Sequence, residues 1–134
     1  MAQALIANDR PMAPQRSDGT ALVMDIAGFT DFSARHSAEH VIRVRDVFLA
    51  DATDAVSRNG GIVICYLGDG LLVTFNAPLP LPAPANAAAA SARILVQVAA
   101  RHGFRIRIGI ASGDLVTSTI GSAEHQSLRS TAMP

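Results

Sequence analysis

Two aspartates stand at the ends of apolar runs in this chain. Asp25 lies in the segment Leu22 to Thr30 (LVMDIAGFT), and Asp69 lies in Gly68-Asp69-Gly70. The first leads through a small-residue loop, Ala27-Gly28-Phe29-Thr30, toward a helical stretch. Carboxylate oxygens are hard donors suited to Mg2+ or Mn2+, ions that complete their coordination with water and substrate phosphates. Glycine lets backbone approach a ligand closely, and unpaired N–H groups at a helix start bind phosphate oxygens. Two acids at neighbouring strand ends beside such a loop therefore specify a site for divalent metal and polyphosphate. Taken alone, Asp69 is a turn former and Asp25 a strand-end acid. Taken together with the loop, they favour the metal site.

The elements that must hold these residues follow from periodicity. Ala21–Ile26 is a short, nearly continuous apolar run, as in a buried strand. Gly28 interrupts it, and Thr30 or Asp31 is placed to cap a helical turn. A long helix is expected from Ser37, its N-cap, to Arg58, with Val41, Val44, Phe48, Ala52 and Ala55 on one face and Asn59-Gly60-Gly61 as its stop. Ile62–Leu67 and Leu71–Phe75 read as strands joined across Gly68-Asp69-Gly70. Prolines 78, 80, 82 and 84 make the next segment extended and stiff. A second helix, Ala85 to about Arg101, turns Ile94, Leu95 and Val98 inward. Phe104–Ile110 alternates as a strand, and Asp114–Ile120 is expected to be a last strand, hairpin-paired through Ser112-Gly113.

This order is the α+β, ferredoxin-like split βαβ arrangement (βαββαβ) with an extra strand. Its first and third strands are central, adjacent and antiparallel, so Asp25 and Asp69 meet at one sheet edge. The domain is expected to span residues 20–121, between a loose leader or linker at 1–19 and an irregular tail at 122–134.

Totals bound the remainder. A chain of 134 residues with 49% hydrophobic and 16% charged residues is one globular domain. A formal charge of +0 gives no reason to expect nucleic acid or an acidic membrane as partner. No apolar run reaches membrane-spanning length, and no signal peptide is apparent. The single cysteine, Cys65, excludes an internal disulfide and suits a cytoplasmic setting. All 11 basic residues are arginine.

Residues 22–30, Gly60-Gly61, Leu67 to Phe75 (LGDGLLVTF) and Arg107 to Gly113 (RIGIASG), in that order and spacing, resemble the class III adenylate/guanylate cyclase catalytic domain. The resemblance covers about residues 21–121. It implies Asp25, Asp69 and the backbone of Ile26 as ligands of a two-metal site for Mg2+ or Mn2+, and Gly28, Phe29 and Thr30 as the triphosphate loop. The implied reaction is ATP, ahead of GTP, to the 3′,5′-cyclic nucleotide and pyrophosphate. The implied assembly is a homodimer, or a heterodimer with another cyclase domain. The family's base-recognising lysine corresponds to Cys65, and residues 122–134 show no counterpart of the asparagine and arginine that complete the site from a partner protomer. The resemblance thus implies a C-terminally truncated domain, with no catalytic residue of its own and inactive or weak alone. The alternative is a nucleotide- or metal-binding regulatory module that dimerises with an intact cyclase. A diguanylate cyclase or polymerase palm shares the layout, but its hairpin would carry a longer acidic signature.

Three other features are assigned ordinary roles. His36 and His40 lie four apart with no third ligand nearby in sequence, which suits a solvated face. Cys65 suits a small buried strand residue better than a reactive thiol. Arg105 and Arg107 alternate outward from their strand, which suits a solvated sheet face.

Overall fold

The computed structural model describes residues 15–77, 79–120 and 127–133. Their elements run β1 (Gln15–Ile26), α1 (Phe29–Arg35), α2 (Ala38–Arg58), β2 (Ile62–Tyr66), β3 (Leu71–Phe75), α3 (Pro84–Arg101), β4 (Ile106–Ile120) and β5 (Ser127–Met133). The strands form one antiparallel five-stranded sheet in the order β2-β3-β1-β4-β5. The first four strands have the expected split βαβ topology, with β1 and β3 side by side at the centre.

Alternation along β1 decides which face is buried. Leu22, Met24 and Ile26 are at most 1% exposed. They join Leu71, Val73 and Phe75 of β3, Phe48, Ala52 and Val56 of α2, and Leu95 and Val98 of α3 in one core. The opposite face lies open, as antiparallel sheets allow. Register puts Cys65, Leu72, Val23 and Gly109 in one row across four strands on that face. Val23 is 43% exposed there, and a side chain at Gly109 would meet only open space.

The two long helices form as their sequences dictate. The Ser37 side chain caps α2, accepting from the His40 amide at 3.2 Å. The buried stripe of α2 is Phe48, Leu49, Ala52, Ala55 and Val56, whereas Val41 and Val44 are only half-buried. α3 starts at Pro84, where a fixed φ suits the first helical position. The preceding loop is held by Asn76, whose side-chain amide donates to the Asp18 carbonyl and accepts from the Leu81 amide, both at 2.6 Å.

Five expectations are corrected, the first on α3, where Leu95 and Val98 are buried but Ile94 is 36% exposed and not turned inward. Ser112-Gly113 does not turn, because β4 runs unbroken while β1 extends back to Gln15, so the ladder continues through Thr20↔Ser112 and Gly19↔Gly113. The Thr20 and Ser112 hydroxyls bond across it at 2.8 Å. Glycine is needed at Gly19 for space, since a Cβ there would lie 2.7 Å from Leu115 Cδ1 and 2.9 Å from the Phe75 carbonyl oxygen. Residues 15–19 thus belong to the sheet and not to a leader, and residues 1–14 lie outside the described residues. In the expected irregular tail, Ser127–Met133 forms β5 against Asp114–Ile120. That edge pairing rests on backbone hydrogen bonds, so no apolar alternation announces it. Finally, Gly28, not Thr30 or Asp31, is the N-cap of α1.

Phe48 ties these layers together. It is fully buried, with edge-on contacts to Phe104 at 5.5 Å and His102 at 5.6 Å between ring centroids. Phe48→Ala is expected to cost about 3–5 kcal/mol in urea denaturation. A loss under about 1 kcal/mol, the scale of a surface change, would contradict this packing.

Candidate functional site

β1 and β3 end their ladder at Met24↔Leu71. Immediately beyond it, β1 supplies Asp25 and the hairpin supplies Asp69. The hairpin closes tightly, with Leu67 and Gly70 exchanging backbone hydrogen bonds of 2.9 and 3.3 Å. Gly68 takes a positive φ of 68° in the turn, a conformation natural to glycine. Gly70 answers a different need. A Cβ there would collide with the Met24 carbonyl oxygen and stand 3.0 Å from the Asp25 Cα. Only glycine lets the hairpin pass this close to β1.

That approach carries the Asp69 carboxylate onto the end of β1, where its Oδ2 accepts a 3.3 Å hydrogen bond from the Ile26 amide. Asp25, Ile26 and Asp69, the three metal-site residues expected from sequence, are thereby brought together. The loop residues follow directly. Gly28 has φ 71° and caps α1 without a side-chain bond, and space is open around it. Phe29 packs against the core, which anchors the loop, while Thr30 is exposed. Cys65 is half-buried on the open face, two strands from β1 and displaced by a β-bulge between Val63 and Cys65.

One participant was not foreseen. Arg107 lies directly across from Asp25 in the β1–β4 register, and its Nε donates to Asp25 Oδ1 at 2.9 Å. Alternation correctly placed Arg107 on the open face, but its partner depends on a register between strands 82 residues apart. The pair is largely solvated, with side chains 71% and 45% exposed. It contributes about 0.2–1 kcal/mol by the usual scale of surface pairs. Beside it, a cleft of about 680 Å3 opens between Gly28, Phe32, His40, Phe104 and Arg107.

The donor set fits a divalent ion of the magnesium type. It offers two carboxylates and backbone oxygen, with solvent access. Among the described residues no group of three or more His, Cys, Asp or Glu converges. Two carboxylates with open solvent access suit an ion such as Mg2+ that completes its coordination with water and phosphate. Asp25 and Asp69 would hold the ion, whose charge would offset theirs and that of a bound polyphosphate.

Comparison with known proteins gives a consistent picture. The sequence profile described as "Adenylate and Guanylate cyclase catalytic domain" matches residues 12–127. A Mycobacterium tuberculosis protein named "Uncharacterized protein Rv1319c" is 30% identical over 119 residues, covering 87% of this chain. The chain spans 22% of that relative's length. The crystal structure of the guanylyl cyclase Cya2 superimposes with a TM-score of 0.81 at 27% identity, over 90% of this chain and 66% of that one. The adenylyl cyclase CyaB from P. aeruginosa gives 0.76 at 24% identity, over 90% and 68%. The described residues include no helix long and apolar enough to cross a membrane.

Arg107 would compete with a bound cation for Asp25. Arg107→Ala is therefore expected to tighten binding of free Mn2+ by about two- to fivefold, the equivalent of an exposed ion pair, as read by electron paramagnetic resonance of unbound Mn2+. Weaker binding in the variant would contradict the competition.

Proposed function

The chain belongs to the class III adenylate and guanylate cyclase catalytic domain family, and from that premise we propose that it binds a metal–nucleoside triphosphate for conversion to a 3′,5′-cyclic nucleotide. The observation that carries this reading is the Asp69 carboxylate bonded to the end of β1, beside Asp25. Asp25, Asp69 and the Ile26 backbone would hold Mg2+ or Mn2+, and the Gly28-Phe29-Thr30 backbone would receive the phosphates. A bound divalent ion supplies charge neutralisation at the polyphosphate.

The reaction is an internal displacement. The ribose 3′-oxygen forms a bond to the α-phosphorus as the bond from that phosphorus to the bridging α,β-oxygen breaks. Pyrophosphate leaves with the electron pair, and the 3′-hydroxyl proton passes to solvent or a nearby base. This chain's residues contribute by positioning and charge: the carboxylates would hold the cation that neutralises the triphosphate, and the loop would orient the phosphates. Beyond the phosphate loop, the open sheet face presents the row Val23, Leu72 and Cys65. That row offers apolar surface and a thiol. ATP is preferred to GTP in this reading only by the resemblance.

The nature of that row also supports a second reading. Cys65 stands at the position that resemblance assigns to a base-recognising lysine, and the sequence contains no lysine. Arg107 engages one of the two metal carboxylates. Both features suit a binding or regulatory half that pairs with another cyclase domain in a dimer, with little activity by itself.

A cyclase assay with Mg2+ or Mn2+ and either nucleotide, on this chain alone and mixed with an intact homologous domain, tests the proposal. Product only in the mixture is expected, with Asp25→Asn lowering it by at least about a hundredfold. Robust turnover by the chain alone would overturn the claim of dependence on a partner. Absence of both turnover and Mn2+·ATP binding would overturn the whole reading.

A further inference from the structure

We propose that His36 and His40 form a two-imidazole site for a divalent cation of the Zn2+, Ni2+ and Cu2+ class, clamping the junction between α1 and α2. Position in the chain creates the pair. His36 is the C-cap of α1, with extended backbone at φ −131° and ψ 161°, and His40 lies in the first turn of α2. The tight junction between the helices brings the two rings to 5.0 Å between centroids, tilted by 31°. Phe32 supports both, stacking on His36 at 4.3 Å and lying 6.1 Å from His40.

The hydrogen bonding of His36 favours metal binding. Its Nδ1 lies 2.8 Å from the Phe32 carbonyl oxygen. A carbonyl oxygen only accepts, so this contact calls for the proton on Nδ1, the tautomer of the neutral ring whose lone pair lies on Nε2. Anchoring one ring nitrogen on a backbone carbonyl is the usual way a metal-binding histidine has its tautomer and ring plane fixed. Both histidines are exposed, so a solvated ion reaches them without rearrangement of the core.

Imidazole selects zinc, nickel and copper over magnesium, which makes this site chemically separate from the oxygen donors Asp25 and Asp69. With no third His, Cys, Asp or Glu converging among the described residues, the other coordination positions fall to water. The site is therefore open and exchangeable, unlike a closed structural zinc centre.

Calorimetric titration of the full chain with Zn2+ at pH 8, paired with electron paramagnetic resonance of added Cu2+, tests this. The expected result is one ion per chain that persists in the Asp25→Asn/Asp69→Asn double variant, with a Cu2+ spectrum showing two nitrogen ligands. His36→Ala and His40→Ala should each remove one nitrogen and weaken binding at least about tenfold. The Asp25→Asn/Asp69→Asn double variant and His102→Ala should leave Zn2+ binding intact. Binding that survives both single histidine variants, or that disappears with the aspartates, would overturn the proposal. Failure to bind at millimolar Zn2+ would do the same.

Discussion

The candidate site depends on how closely the β2–β3 hairpin passes the end of β1. Two central strands of an antiparallel sheet keep a fixed spacing, but the groups just past the ladder are under no such control. Here a glycine sets their separation. Gly70 faces the Met24 carbonyl with no room for a methyl group, and this closeness delivers the Asp69 carboxylate to the Ile26 amide. A larger residue at Gly70 would push the hairpin away from β1 and separate the two acids.

The core provides a rigid base and the open face provides access. Leu22, Met24 and Ile26 lock one side of β1 into packed side chains, leaving Val23 and Asp25 on the other. The same alternation that buries the apolar residues therefore presents Asp25 to solvent, beside Arg107 and the exposed row through Val23. Both signs of charge are present locally: two carboxylates, one guanidinium and the backbone amides of the Gly28 loop meet at a single sheet edge. A polyphosphate with its divalent ion adds both signs of charge there at once, which suits an edge that already carries both.

Much of this was legible in the residues. Apolar runs and glycine stops located both long helices and the strands β2 and β3, and the order of elements gave the sheet topology. From that topology the meeting of Asp25 and Asp69 followed. Features governed by non-local pairing were harder to read. Ser112-Gly113 has turn-like composition, yet the long ladder with β1 keeps it extended, and its glycine faces Gly19 across the sheet. β5 shows no apolar pattern because an edge strand depends on its backbone. The Arg107–Asp25 pair was invisible for a related reason: alternation gives the face of a residue, and only strand register gives its partner. Gly70 looked like part of a turn, and its steric role emerged only with β1 in place.

The central claim is that Asp25 and Asp69 share one metal–triphosphate ligand. It is tested most directly by a double-mutant cycle on Mn2+·ATP affinity with Asp25→Asn, Asp69→Asn and both together. If the two carboxylates hold the same ion, removing either forfeits most of the binding, and the double variant is little worse than a single one, as for residues that act as a unit. Losses that simply add, or an unchanged affinity in either single variant, would contradict the shared site.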